Sequence, residues 1–176
     1  VKLSVDYTQQ RVMAISNLGT MRASSDWGVT WATVPLSGLT ETPVDIAWIP
    51  AHGRWVVVGD GDGIFFPTDD AFGASISTWT KIGELPAGSS FRPKSLYALE
   101  DTVYCFDDST SGIRLWYSVD SGANWMTHRL NTLPNNYTVM AGSPFTRRFM
   151  WMRGDAAISN EAYLSADSRR LIMASQ

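Results

Sequence analysis

The chain has 176 residues, 44% hydrophobic and 12% aromatic, with 14 basic and 17 acidic side chains for a formal charge of −3. That length can bury a sizeable core in one domain. Weak acidity and scattered Lys and Arg leave no footprint for nucleic acid, and no apolar run reaches the ~18 residues of a membrane-spanning helix.

In chain order, short runs rich in Val, Ile, Phe, Tyr and Trp alternate with turn residues, as successive strands do. The first four runs are Lys2–Tyr7, Arg11–Ser16, Thr20–Ser25 and Thr30–Pro35. The next four are Val44–Ile49, Arg54–Gly59, Gly63–Thr68 and Thr78–Ile82. Then come Lys94–Leu99, Thr102–Phe106, Ile113–Ser118 and Asn124–Leu130. Tyr137–Gly142, Arg148–Arg153, Ala162–Ser165 and Arg170–Ala174 complete the series. No stretch sustains a 3.6-residue apolar period, so helix is expected to be nearly absent.

Between the third and fourth runs of the first group stands S-S-D-W-G-V-T-W, Ser24 to Trp31. The same place in the third group holds S-V-D-S-G-A-N-W, Ser118 to Trp125. Both read S-x-D-x-G-x-x-W. The short carboxylates of Asp26 and Asp120 can accept from backbone N–H groups just after them and fold the turn back. Gly28 and Gly122 suit a positive φ that a Cβ resists. Ser24 and Ser118 satisfy the other side of the turn, and Trp31 and Trp125 begin the returning strand and cover the hairpin.

Worn copies follow the same logic. T-D-D-A-F-G at Thr68 to Gly73 places Asp70 in the aspartate position, with Trp79 opening the next strand. S-A-D-S at Ser165 to Ser168 keeps only Asp167. Asp26, Asp70, Asp120 and Asp167 are spaced by 44, 50 and 47 residues, about the length of one four-stranded propeller blade. The blades then cover roughly 1–36, 37–84, 85–131 and 132–176 of a single β-propeller domain. Four unrelated hairpins in a β-sandwich are the alternative.

These motifs resemble the Asp-box, or BNR, repeat shared by sialidases, sortilin-type receptors, some glycan-degrading enzymes and several phage tail proteins. The resemblance spans essentially the whole chain, with two boxes intact. It implies an all-β propeller of about four four-stranded blades, either closed at four or part of a larger ring. It is specific for fold and poor for function, since the same propeller hosts unrelated activities.

In the usual blade order the boxes line one rim and ligands meet the opposite one. The loops expected there are 17–19, 60–62, 107–112 and 154–161, which carry Asp60, Asp62, Asp107, Asp108, Asp155 and Glu161. Gathered around an axis, such carboxylates suit a cation or sugar hydroxyls. The same residue types also suit tight hairpins, as in G-D-G-D-G at Gly59–Gly63.

A sialidase needs an arginine clamp for the substrate carboxylate, a tyrosine nucleophile with a carboxylate partner, and an acid/base. Arg92, in Phe91-Arg92-Pro93, lies where the family's Phe/Tyr-Arg-Ile-Pro arginine would precede a blade. It lacks the isoleucine and falls in the third blade. No second or third arginine and no Tyr–Glu pair can be assigned.

Single signals add little. His52 and His128 stand alone, which argues against a His-based metal site or a Ser-His-Asp triad. Cys105, inside V-Y-C-F, reads as a small buried side chain. Arg153-Gly154-Asp155 spells the integrin tripeptide in a predicted hairpin loop, a short string that occurs by accident.

The expectation is a non-enzymatic binding or assembly module without metal or cofactor, with no nucleic-acid partner and no membrane insertion. Its partner would be a glycan or a protein, on a virion tail or a cell surface. A homo-oligomer, or completion by the rest of a larger chain, is also expected. A sialidase-like glycan-acting enzyme, or a fragment of one, is the alternative. The first residue is Val1, which fits a processed protein or an excised domain.

Overall fold

The computed structural model describes residues 1–61, 63–68, 71–84, 93–99, 101–109, 112–129, 137–143, 148–153, 162–167 and 170–174. Side chains are described for 1–61, 63–68, 71–83, 95–99, 101–105 and 116–126. Among them, four four-stranded antiparallel sheets follow one another along the chain, each made of four consecutive strands. These sheets are blades of a β-propeller fold, four of them among the described residues.

Blade one holds β1 (Lys2–Asp6), β2 (Arg11–Ile15), β3 (Met21–Ser24) and β4 (Ala32–Thr33). Blade two holds β5 (Pro43–Ile49), β6 (Arg54–Gly59), β7 (Gly63–Pro67) and β8 (Trp79–Glu84). Blade three holds β9 (Pro93–Leu99), β10 (Thr102–Ser109), β11 (Gly112–Ser118) and β12 (Met126–Arg129). Blade four holds β13 (Tyr137–Ser143), β14 (Arg148–Arg153), β15 (Ala162–Asp167) and β16 (Arg170–Ala174). Helix is confined to short 3-10 turns at Pro50–His52 and Gly73–Ser75 among the described residues. None of their helices is long and apolar enough to cross a membrane.

The innermost strands stand side by side, β1 against β5, β5 against β9, and β9 against β13. No comparable packing joins β13 to β1 among the described residues. Side chains alternate between the two faces of a strand, so a blade between two neighbours must be apolar on both. Blade two meets that demand: in β6 the run Trp55–Gly59 is buried throughout. Trp55, Val57 and Phe65 join Met13, Ile15, Met21, Ala23 and Val34 in one core, between blades one and two. Val56, Val58, Ile64 and Phe66 join Leu96, Ala98, Val103, Cys105 and Trp116 in a second core, between blades two and three.

Polar stitches cross the same junctions. The Trp48 N–H donates to Ser4 Oγ at 2.8 Å, tying β5 to β1. Asp45 does more, because its carboxylate lies where three inner strands meet. Its Oδ2 accepts from the Leu96 N–H of β9 at 2.8 Å and stands 3.6 Å from Lys2 Nζ of β1. Oδ1 takes the Ile46 N–H at 2.8 Å. Burial pushes the Asp45 carboxyl above its usual value, against the pull of Lys2 and the two N–H groups.

Four local expectations change. The fourth strand of blade one covers only Ala32–Thr33, because Thr30 is held in the preceding turn by both oxygens of Asp26. Trp31 and Trp125 precede β4 and β12 by one residue, since each indole N–H turns back to a glycine carbonyl at 2.9 Å. Trp79 does open β8. Asp107 and Asp108 belong to β10 rather than to a loop, with backbone pairing to Arg114 and Ile113. Asp167 ends β15 opposite Arg170, beside a register shift, so it stands in a strand rather than in a turn copy.

Candidate functional site

Two rims follow from the alternation of strand direction. One carries the β1–β2 and β3–β4 connections of each blade, the other the β2–β3 connections and the links between blades. In blade one the first pair is joined by the Trp27 N–H donating to Gln10 O at 3.2 Å.

The S-x-D-x-G-x-x-W turns on the first rim are near copies. The Ser24 hydroxyl donates to Asp26 Oδ1 at 2.7 Å and accepts the Gly28 N–H at 2.7 Å. Ser118 does the same with Asp120 and Gly122, at 2.7 Å for both. Asp26 then accepts the Thr30 N–H at 2.8 Å and the Thr30 hydroxyl at 2.6 Å. Asp120 accepts the Asn124 N–H at 2.8 Å and its side-chain amide at 2.7 Å. Gly28 and Gly122 have φ of 88° and 95°, and the residues before them, Trp27 and Ser121, are also left-handed. Two successive positive φ values let the chain reverse within four residues and aim its N–H groups at the carboxylate.

These donors stabilise the ionised form. The Thr30 hydroxyl first, then the Thr30 N–H and the Ser24 hydroxyl, hold the Asp26 carboxyl down at about 2. For Asp120, slight burial pushes upward, but the Asn124 and Ser118 hydrogen bonds outweigh it and the net shift is down. A carboxylate so engaged organises a turn and has little capacity left for a ligand.

The opposite rim gathers loops from different blades. A side chain added at Gly19, in the β2–β3 loop of blade one, would meet Thr42 and Pro43 of the link into blade two. Asp60, in the β6–β7 loop, accepts the Thr42 N–H on Oδ1 at 3.0 Å, and its own N–H donates to Thr42 O at 2.9 Å. Glu41 completes the knot. Its Oε2 accepts the Gly61 and Gly63 N–H groups at 3.1 and 3.0 Å, and Oε1 pairs with Lys81 Nζ at 3.3 Å. The glycines let the hairpin wrap this carboxylate, since Cβ atoms at 59, 61 and 63 would run into Glu41.

Asp60 is therefore exposed but already engaged. Asp107 and Asp108 reach the same rim through the end of β10, and their side chains lie outside the described residues. Asp62, Asp70, Arg92 and Asp155 also lie outside them, as does the Asp167 side chain. Glu41 had no motif to announce it; the only hint was the run of N–H groups in Gly59–Gly63 that needs an acceptor. Among the described residues no three His, Cys, Asp or Glu side chains are grouped to hold a metal ion.

No family model matches the sequence, and no curated protein matches it. Solved structures do. The GH74 enzyme of Niastella koreensis superposes with a TM-score of 0.65 at 13% identity, over 96% of this chain and 23% of that one. YCF48 from Cyanidioschyzon merolae gives 0.60 at 12%, over 98% and 57%. The NanB sialidase of Streptococcus pneumoniae gives 0.58 at 13%, over 87% and 27%. All three are β-propeller proteins. At these identities the likeness is one of fold, and this chain spans between about a quarter and somewhat over half of their lengths.

Proposed function

We propose that this chain is a non-enzymatic binding or assembly module, which offers the rim opposite its S-x-D-x-G-x-x-W turns to a glycan or a protein on a virion tail or cell surface. The observation that carries this reading is the hydrogen-bonded knot of Glu41, Thr42, Asp60, Gly61 and Gly63. It ties the β6–β7 hairpin of blade two to the segment that enters the same blade, and the blade-one loop at Gly19 lies against Thr42 of that segment, so neighbouring loops form one fixed surface. Fixed loops lose little entropy on binding, the general advantage of preorganisation. Glu41 and Asp60 are occupied with backbone N–H groups, a structural duty rather than the free carboxylate that acid–base catalysis requires.

The test is paired. The 176-residue chain is incubated with 4-methylumbelliferyl sialoside and, separately, applied to an immobilised glycan array. The expected result is fluorophore release no faster than without protein, and array binding that Asp107→Asn with Asp108→Asn abolishes. Sustained hydrolysis lost in Arg92→Ala would replace this reading with a glycan-acting enzyme.

A further inference from the structure

Arg11 opens β2 on the rim of the S-x-D-x-G-x-x-W turns, and alternation along the strand sets it on the face where Met13 and Ile15 pack against blade two. Beside it a narrow cleft separates blade one from the turns of blade two. Arg11, Trp48, Gly53, Trp55, Pro67 and Ala71 line it, with Arg54 at its edge. Arg54 sends its guanidinium the other way, 5.2 Å over the ring of Phe66, which belongs to the core shared with blade three. Among the lining residues Arg11 is thus the cation that faces the cleft.

The floor is aromatic. The Arg11 guanidinium carbon lies 5.0 Å from the centre of the Phe72 ring, Phe72 lies 6.0 Å from Trp55, and Trp55 lies 5.0 Å from Trp48. A guanidinium held over a ring keeps its N–H fork at its edge, where a carboxylate can meet it. No carboxylate pairs with Arg11 among the described residues.

Two buried polar atoms at this junction lack partners. Trp55 is 2% exposed, and its indole N–H finds no acceptor among the described residues. Asp6 stands opposite Arg11 in the β1–β2 ladder, on the same side of its strand as Ser4, which takes the Trp48 N–H. Its Oδ1 accepts the Thr8 N–H and hydroxyl at 3.0 and 2.6 Å, while its Oδ2 is buried without a donor among the described residues. Buried polar atoms are partnered in all but a few cases. Here a cation lacks an anion, an N–H lacks an acceptor and a carboxylate oxygen lacks a donor, all beside exposed ring surface.

We infer that this cleft binds a sugar acid. Its carboxylate bridges Arg11 and the Trp55 indole N–H, a hydroxyl donates to Asp6 Oδ2, and the apolar face of the sugar lies on the half-buried Trp48. With Arg11 laid on Phe72 the cleft is too narrow for a water molecule, so the flexible arginine lifts to admit the ligand and closes on its carboxylate. A neutral sugar brings no charge for Arg11, and an acyclic acid brings neither the ring face nor the hydroxyl. The cleft lies on the rim of the turns, opposite the loops of the proposed function, so the two readings stand or fall separately.

Titration of the 176-residue chain with glucuronate, glucose and glutarate tests it, followed by nitrogen-edited NMR through the assigned Trp55 indole resonance. Glucuronate is expected to move that resonance and to bind at least tenfold more tightly than glucose or glutarate. Arg11→Gln is expected to weaken glucuronate at least tenfold and to erase its advantage over glucose. Arg22→Gln, at an exposed residue on the other side of blade one, leaves it unchanged. The three ligands are compared on the parent chain, so the test decides even where Arg11→Gln fails to fold. A Trp55 resonance that glucuronate does not move overturns the inference, as does equal affinity for glucose. Glutarate binding as tightly as glucuronate overturns it in favour of an acidic peptide side chain. A folded Arg11→Gln chain that binds glucuronate like the parent overturns it too.

Discussion

Asp120 shows how much one side chain can organise. It takes two hydrogen bonds from Asn124 and one from Ser118, all within four residues in sequence. Asp120→Ala removes them together, and the expected loss is about 1–2 kcal/mol, tempered by solvent at this exposed turn. Urea unfolding of the variant, compared at equal slope, measures it. Two carboxylates should also respond to pH in opposite directions. Asp26 is held down at about 2, so the stability it adds is complete above its ordinary 3.8 and disappears as pH falls toward 2. Asp45 is pushed up by burial, so its folded form keeps a proton that the unfolded chain has lost. That contribution is present below 3.8 and is lost as pH rises through the raised value. Asn keeps each position neutral, so the thermal midpoints of Asp26→Asn and Asp45→Asn should both lie nearest the parent at low pH; as pH rises the parent should gain on the first and lose ground against the second.

Among elements, the two complete turns give an internal comparison. Trp31 and Trp125 make the same indole bond to a glycine carbonyl, at 2.9 Å in each. Only Trp125 is inserted between blades. Trp125→Ala should therefore open a cavity and cost about 3–5 kcal/mol, whereas Trp31→Ala, at a residue 38% exposed, should cost far less. Equal losses in denaturant midpoints would show that the bond, and not the packing, matters. The worn copy in blade two replaces the local bond with a distant one. Trp79 sends its indole N–H to Pro35 O at 2.9 Å and its backbone N–H to Ser37 O at 2.8 Å. A turn that has lost its pattern is held by the neighbouring blade.

At the scale of the whole molecule, the blades hold together through apolar faces with few polar stitches. Gly83 marks how close blades two and three come, since a Cβ there would lie 2.6 Å from the Gly122 carbonyl. Backbone cannot retreat as a flexible side chain can. Gly83→Ala should push the blades apart at an expected cost of about 1–3 kcal/mol. Differential scanning calorimetry reads it as a lower midpoint for the chain, and an unchanged midpoint would mean that the junction is looser than this approach implies.

The strands, their grouping in fours and the two complete turns could be read from residue order, because each depends on interactions within a few residues. A serine, an aspartate and a glycine at fixed offsets close the same hydrogen bonds wherever they occur, and alternating apolar residues mark a pleated strand with buried faces. Where distant segments meet, only the tertiary structure could decide. Asp45 and Leu96 are 51 residues apart and Glu41 and Gly63 are 22 apart, with no pattern linking either pair. Asp60 looked available for a ligand, yet it spans 18 residues to hold Thr42. Leu3 on β1 and Leu96 on β9 are the same residue type in the first strand of a blade, yet one is 62% exposed and the other 6%, and nothing in their local sequence distinguishes them. Burial depends on what lies across the face, and that is set by the order in which blades pack.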